Sequence, residues 1–325
     1  MSAATITYRE AIRLGLREAL ARDERVVLMG EDVGRGGGAF MVTEGLLDEF
    51  GEQRVRDTPI SEAAFTGVAV GLALDGWRPV VEYQFADFLT SGMTQIVNVA
   101  APMHFRARTP VPLVIRAPAG GGFSGGPFHS QSPEAWFLRV PGLKVACPAT
   151  TEDAGLLLAA SLADPNPVLF LEQKNLYTRV KGTFAYDPDA PLAGAAVRRP
   201  GRDLTVVSYG AALHPCLAAA EAVAREGIDV EVVDLRVLCP LDWETVAASV
   251  SRTSRCLIAH EDHAEYGVAA ELAARVAGEL FGELDAPVRR VGAAFHPIPF
   301  SPPLEQATLP SAGGIAAAIR ELAAF

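Results

Sequence analysis

Two residues in this chain join a reactive side chain to a setting that could use it. The first is Glu62, within Asp57-Thr-Pro-Ile-Ser-Glu-Ala-Ala-Phe-Thr-Gly-Val-Ala-Val-Gly-Leu-Ala-Leu. Ser61 is a candidate N-cap, and the twelve residues from Ala63 to Leu74 carry no charge. A helix that apolar is too short to span a bilayer and must bury itself against protein. Its small residues Ala63, Ala64, Gly67, Gly71 and Ala73 permit close backbone approach, as at a subunit interface. Glu62 then stands at the mouth of a buried helix, where the helix dipole favours the carboxylate and desolvation favours the neutral acid. A carboxyl balanced in this way can share a proton with a bound base; the alternative is an ordinary first-turn glutamate. The second residue is His129, which follows the glycine-rich run Gly120-Gly-Gly-Phe-Ser-Gly-Gly-Pro-Phe. An imidazole on irregular backbone is suited to proton transfer near neutral pH, the alternative being a solvated loop residue.

Other motifs carry less. Gly34-Arg-Gly-Gly-Gly-Ala-Phe resembles a phosphate cradle but fits neither dinucleotide nor P-loop spacing, so it reads as a flexible turn. His260-Glu-Asp-His263 lacks the two-residue gap of H-E-x-x-H and reads as a strand end with a solvated polar cluster. No G-x-S-x-G occurs, which leaves a serine hydrolase unsupported. His104, His214 and His296 stand alone and read as structural.

The elements that must position these residues alternate. Thr7 and Glu10 have capping-box spacing, and Ile12, Leu16, Ala19 and Leu20 then follow a helical period. Val26–Met29 reads as a buried strand stopped by the glycines between Gly30 and Gly38. Pro79–Tyr83, Pro112–Arg116, Leu143–Cys147 and Val168–Glu172 are further strands, with helical patterns between most of them. From about Val180 to Asp203 the period fails in turn residues and charge. Alternation then restarts with strands at Leu204–Ser208, Val230–Leu235, Cys256–Glu261 and Val288–Val291. The helices there fall near 212–226, 243–252, 268–281 and 314–325. Such alternation predicts an α/β fold of two doubly wound domains with mostly parallel sheets. We expect the first over residues 1–185, a linker over 186–203 and the second over 204–325.

Composition bounds the partners. At 325 residues the prior is two domains, and 50% hydrophobic residues supply a large core. Asp plus Glu outnumber Lys plus Arg by 39 to 28, a net −11 that argues against nucleic acid and anionic membrane as partners. No run approaches the roughly 20 apolar residues of a membrane span. The start, Met1-Ser-Ala-Ala-Thr, shows no signal-peptide pattern. Cys147, Cys216, Cys239 and Cys256 are widely spread, so free thiols and a cytoplasmic location are expected.

Taken together, several motifs occur in one order. They are Gly30-Glu-Asp-Val-Gly, Asp57-Thr-Pro-Ile-Ser-Glu62, Glu82-Tyr-Gln-Phe-Ala-Asp-Phe88, His129-Ser-Gln-Ser-Pro-Glu-Ala and Val233-Asp-Leu-Arg-Val-Leu-Cys-Pro-Leu-Asp. The chain, over essentially its whole length, resembles the beta subunits of the thiamine-diphosphate-dependent decarboxylating component of 2-oxo acid dehydrogenase complexes. The resemblance implies a pyrimidine-binding domain followed by a transketolase C-terminal-like domain.

It also implies roles for matching residues. Glu62 falls where the family's glutamate hydrogen-bonds N1′ of the aminopyrimidine and promotes the imino tautomer that removes the thiazolium C2 proton. Glu31, Ile60, Ser61, Gln84 and Phe88 match cofactor-contacting positions. Many relatives have tyrosine where Phe88 stands, so ring packing is kept and any hydroxyl bond is lost. His129 matches a histidine implicated in proton transfer during decarboxylation or acyl transfer to lipoyl. Phe85, Ala86, Asp87 and Phe88 line the matching substrate region. Leu113, Ser161, Leu162, Asp164 and Asn166 occupy places that bind a structural potassium ion in some relatives.

The family holds the Mg²⁺ of thiamine diphosphate with a Gly-Asp-Gly…Asn motif, and no Gly-Asp-Gly occurs in this chain. The resemblance therefore implies an alpha subunit that supplies the Mg²⁺ half of the site, in an α₂β₂ heterotetramer docked on a lipoyl-bearing dihydrolipoyl acyltransferase. Gln84-Phe-Ala-Asp-Phe and the His129 motif look closer to branched-chain members acting on 2-oxoisovalerate-type substrates. Pyruvate is the runner-up substrate, and acetoin-cleaving relatives come third. The rival of another class is a non-catalytic assembly subunit, against which the retention of both Glu62 and His129 argues.

Overall fold

The computed structural model describes residues 5–325, so most of the leading segment read for a signal peptide, residues 1–4, lies outside the described residues. Two compact units emerge. One takes the chain up to Ala119 together with Trp136–Leu192, and the other takes Gly120–Ala135 together with Ala193–Phe325. The His129 loop, placed in the first domain by its position in sequence, thus clusters with the second unit.

The first unit is built on parallel strands in the order Lys144–Ala146, Val168–Gln173, Val114–Ala119, Arg78–Glu82, Val26–Gly30 and Val55–Asp57. Val26–Gly30, Val114–Ala119 and Val168–Gln173 are buried at every residue, as expected for strands covered on both faces. The first helix, Tyr8–Arg22, starts at a complete capping box in which Thr7 and Glu10 satisfy one another's backbone N–H. It packs against Thr151–Ala163, close enough that a Cβ at Gly15 would sit 3.0 Å from Leu158 Cδ2.

The strand order has a functional consequence. From Val26–Gly30 the chain goes to Val55–Asp57 on one side, then to Arg78–Glu82 on the other. Connections leaving the carboxyl ends of these neighbours diverge, and this opens a crevice of the kind where α/β sheets bind ligands. Glu31 and Gln84 lie just past those carboxyl ends, and Asp57 ends the flanking strand.

In the second unit Arg289–Ala293, Cys256–His263, Leu204–Ser208 and Val230–Asp234 run parallel. Ala196–Arg199 adds an antiparallel edge strand with a bulge against Val232 and Val233. That strand falls in the turn-rich stretch whose composition carried no strand signal, held by Arg198 pairing with the buried Asp234 at 3.0 Å. The reading of His260-Glu-Asp-His263 as a solvated cluster is corrected as well. The strand continues through His263, and His260 and Asp262 are buried. Burial pushes the His260 imidazole down to about 3, helped by the positive charges of Arg290 and His263.

Candidate active site

Glu62 opens the helix Glu62–Leu74 in the first unit. Ser61 occupies the N-cap position, but its hydroxyl makes no capping bond; its carbonyl accepts the Ala64 and Phe65 N–H groups at 3.0 Å. Within this chain the helix buries one face only. Phe65, Thr66, Ala69, Val70 and Ala73 point inward, while Ala63, Ala64, Val68, Gly71 and Leu74 remain exposed. Full burial, expected from the uncharged sequence, is therefore not achieved by this chain's own residues. Ile60, immediately before the turn, is 83% exposed, an unusual setting for a large apolar side chain.

Around Glu62 the polar groups are compressed. Glu31 is buried, and its Oε1 has no hydrogen-bond partner. Burial raises the Glu31 carboxyl above its usual range, and the charges of Glu62 and Asp32 push it further. Tyr83 donates to or accepts from Thr66 Oγ1 at 2.5 Å. Burial lifts its phenol well above the ordinary range, with Glu62 adding to the effect and the Thr66 bond opposing it. The charge of Glu62 thus acts on a second carboxyl with an unsatisfied oxygen and on a phenol held neutral. Such a site accepts a proton-bearing ligand more readily than an anion.

Gln84 reaches back to Asp32 with an Nε2–Oδ2 distance of 3.3 Å. Phe85, partly exposed, precedes a 3₁₀ turn, Ala86–Thr90, in which Ala86 and Asp87 are buried and Phe88 is partly exposed. Phe40, Phe85 and Phe88 stack edge-to-face, at 5.5 Å between the first two rings and 5.6 Å between the last two. The Lys174 ammonium sits 5.6 Å from the centre of the Phe85 ring and donates to the Pro118 carbonyl at 3.2 Å. This places a nearly buried cation on the aromatic wall.

The glycine loop after Glu31 is not a free turn. Asp57 accepts the Gly34 N–H at 2.6 Å and the Arg35 N–H at 3.4 Å. Gly38, at φ +78°, passes so close to Glu82 that a Cβ would overlap the carboxylate. Glu82 in turn belongs to a buried cluster. Arg116, fully buried, donates to Glu82 at 2.6 Å and to both oxygens of Glu172 at 2.6 and 3.0 Å. Tyr177 adds a 2.5 Å bond to Glu172. Burial raises Glu82, Arg116 lowers it, and the net direction is upward.

His129 belongs to the second unit and is half-buried. Its N–H donates to the Gly126 carbonyl at 3.3 Å, and the loop base closes where Gly120 N–H meets the Gln131 carbonyl at 2.9 Å. Gly121 N–H reaches Glu261 Oε1 at 2.5 Å, and Glu305 takes up further amides of the same loop.

At the suggested potassium ligands, several acceptors are already engaged. Leu113 O accepts Val168 N–H, and Leu162 O accepts Arg78 at 2.7 Å. Ser161 Oγ donates to the Leu157 carbonyl at 2.6 Å, and Asp164 pairs with Lys144 and the Asn166 N–H. Two oxygens remain. Asn166 Oδ1 is buried without a partner, and the Ser161 carbonyl, in the last turn of Thr151–Ala163, has proline four residues on, Pro165, which has no N–H to give. Among the described residues no group of three or more His, Cys, Asp or Glu side chains is arranged to hold a metal ion.

Asp57, Tyr83, Arg116, Lys174 and Glu305 shape these surroundings and were not singled out from sequence. An arginine inside the apolar run Leu113-Val-Ile-Arg-Ala was the one available signal, because a charge there demands buried partners.

The residues match two family models, "Transketolase, pyrimidine binding domain" over 4–180 and "Transketolase, C-terminal domain" over 193–315. The 2-oxoisovalerate dehydrogenase subunit beta of Bacillus subtilis is 43% identical over 324 residues, 98% of this chain and 99% of the relative. The chain belongs to the family of 2-oxo acid dehydrogenase beta subunits. Other members of that family include the 3-methyl-2-oxobutanoate dehydrogenase subunit beta of Mycobacterium tuberculosis, 43% identical over 91% of this chain and 86% of its own. The mitochondrial pyruvate dehydrogenase E1 component subunit beta-1 of Arabidopsis thaliana is 41% identical over 94% and 86%. A solved split-gene transketolase, described as an inactive beta4 tetramer, shares the fold with a TM-score of 0.77 at 23% identity over 98% of both chains. The two-unit α/β architecture and the order of its domains are those of this family, an enzyme component.

Proposed function

We propose that this chain, with a separate alpha subunit, forms the thiamine-diphosphate-dependent decarboxylating component of a 2-oxo acid dehydrogenase complex. The favoured substrate is a branched-chain acid of the 3-methyl-2-oxobutanoate type, whose acyl group passes to the lipoyl group of a dihydrolipoyl acyltransferase. The observation that carries the reading is that Glu62, on the first turn of an uncharged helix, acts electrostatically on the buried Glu31 carboxyl, whose Oε1 has no partner.

These residues fit an aminopyrimidine. Such a ring offers a basic nitrogen and an amino group, and the site offers one carboxyl to share a proton and a second oxygen lacking a donor. When bound, thiamine diphosphate supplies a carbon nucleophile and an electron sink, chemistry no side chain has. Glu62 would hold a proton against the ring nitrogen, with Glu31 and Tyr83 as its polar surroundings. Ile60 and Phe88 would cover the ring faces, and Gln84, tethered to Asp32, would set the edge. Phe85, Ala86 and Asp87 would back the substrate pocket, and His129 would exchange a proton with the substrate or the acyl acceptor. A monovalent cation would find the Ser161 carbonyl and Asn166 Oδ1, with Leu113, Leu162 and Asp164 contributing only after their present partners shift.

The exposed apolar face of Glu62–Leu74 supports assembly with other chains, here an α₂β₂ heterotetramer whose alpha subunit supplies the Mg²⁺ ligands. All four cysteines are free, which fits the cytoplasmic location proposed here. Pyruvate is the second reading, favoured by the 41% identical plant relative. Reconstituting the complex and comparing kcat/KM for 3-methyl-2-oxobutanoate and pyruvate decides between them. A preference for the branched acid is expected; a preference for pyruvate would overturn the substrate choice.

A further inference from the structure

The loop that carries His129 is poor in side chains able to fix it. Gly120, Gly122 and Gly126 have φ of +83°, +85° and +73°, and even Ser124 sits at +62°, a conformation that costs a residue with a Cβ. Glycine-rich backbone loses the most freedom on ordering, so an ordered loop of this kind needs strong partners. It finds them 181 to 183 positions further along the chain. Glu305, in the short helix Pro302–Thr308, is 3% exposed and turns both carboxylate oxygens onto the loop. Its Oε1 accepts Gly122 N–H at 2.9 Å, while Oε2 accepts Ser124 N–H at 2.9 Å and Ser124 Oγ–H at 3.3 Å. Glu261 takes the preceding Gly121 N–H at 2.5 Å. Carboxylates are acceptors only, and amides donating to them make charge-assisted bonds stronger than neutral ones.

Packing completes the clasp. A Cβ at Gly126 would lie inside the Phe300 ring contact, and one at Gly121 would meet Leu309 Cδ1 at 3.1 Å and Glu305 Oε1 at 3.2 Å. A Cβ at Gly125 would sit 3.0 Å from His129 Cβ. The segment 300–309 therefore grips the backbone on both sides of Phe123, and the His129 N–H bond to the Gly126 carbonyl ties His129 to that gripped backbone.

We infer that Glu305 is a positioning residue of this enzyme: its carboxylate fixes the Gly120–Gly126 backbone and so sets the place of the His129 imidazole. The inference rests on the proton-transfer role assigned to His129 above. Glu305 touches neither substrate nor cofactor in this role and acts through the loop alone. Glu305→Gln is the informative change, because it keeps the shape and replaces one acceptor oxygen by a donor that faces an N–H.

The test has two readouts. In the full chain, hydrogen exchange of peptides covering residues 120–135 should accelerate about tenfold or more in Glu305→Gln, while the strand Leu204–Ser208 keeps its protection. In the reconstituted complex, kcat should fall about tenfold or more, as misplacement of a proton donor predicts, with KM for the 2-oxo acid changed less than about twofold. Glu261→Gln should reproduce the exchange effect more weakly, since it releases one amide; this second variant serves if Glu305→Gln does not fold. His129→Ala is the control. Unchanged loop exchange in Glu305→Gln overturns the inference, as does unchanged kcat when His129→Ala has lost turnover. If His129→Ala itself turns over normally, the role given to His129 fails, and with it the catalytic part of the inference, while loop exchange still judges the clasp.

Discussion

Replacing Arg116 by Met removes the guanidinium that pairs with two buried carboxylates, Glu82 and Glu172. The wild-type guanidinium is fully buried and makes two bonds to Glu172 and one to Glu82, all between 2.6 and 3.0 Å. Methionine fills much of the volume, so the cost is chiefly that of two buried carboxyls left without a counter-charge, Glu172 keeping its bond from Tyr177. Breaking a buried pair from one side costs about 3–5 kcal/mol. For a unit of this size that corresponds to a melting point lower by about 6–20 °C. The deficit should depend on pH in a definite direction. In the native protein burial already raises Glu82, opposed mainly by Arg116. Without Arg116 only raising influences of that size remain, so the folded-state pKa moves further above the unfolded one. A group with a raised folded pKa contributes stability below its unfolded pKa and loses it as pH rises through the folded value. Arg116→Met should therefore be most destabilised near about pH 8 and recover part of the loss near about pH 5.5. Differential scanning calorimetry of both proteins at the two pH values gives the comparison. A melting point within about 2 °C of wild type, or a deficit that grows as pH falls, refutes the reasoning.

Two further outcomes follow from the same geometry. Gly38→Ala places a Cβ at φ +78° against the Glu82 carboxylate, which should cost about 1–3 kcal/mol from backbone strain alone and show as a lower melting point; an unchanged melting point would contradict the close approach. Val68→Glu, on the exposed face of Glu62–Leu74 and itself 54% exposed, should change the chain's own stability by less than about 0.5 kcal/mol. It should, however, reduce assembly with the alpha subunit or a second copy in sedimentation velocity; undiminished assembly would remove that face from the interface.

What the sequence made legible was local or periodic. The Thr7–Glu10 capping box, the buried strand Val26–Gly30 and the helix behind Glu62 each announce themselves within a few residues. The order of motifs singled out Glu62 and His129, each set within a run of recognisable residues, but not the distant groups around them. The rest depends on contacts between distant segments. Arg116 meets Glu172 across 56 positions and Glu305 meets Ser124 across 181, so neither partnership leaves a local pattern. Ala196–Arg199 reads as a linker because an edge strand of four residues between glycine and proline has too few positions for a period. His260 reads as solvated from its polar neighbours, yet it is fully buried in an interior strand, with Tyr209 Oη 3.2 Å from its Nδ1. Gly34–Phe40 reads as a loose turn because Asp57, which fastens it, arrives 23 residues later.

The proton that Glu62 is proposed to share can be followed directly. With the chain reconstituted with its alpha partner, Mg²⁺ and thiamine diphosphate, acid-quench NMR in D₂O reports how fast the bound thiazolium C2 proton exchanges. Glu62→Gln should slow that exchange by about 10²–10⁴-fold, the usual contribution of a placed acid–base group, while assembly persists. Exchange as fast in Glu62→Gln as in the wild-type complex would contradict the assignment of Glu62.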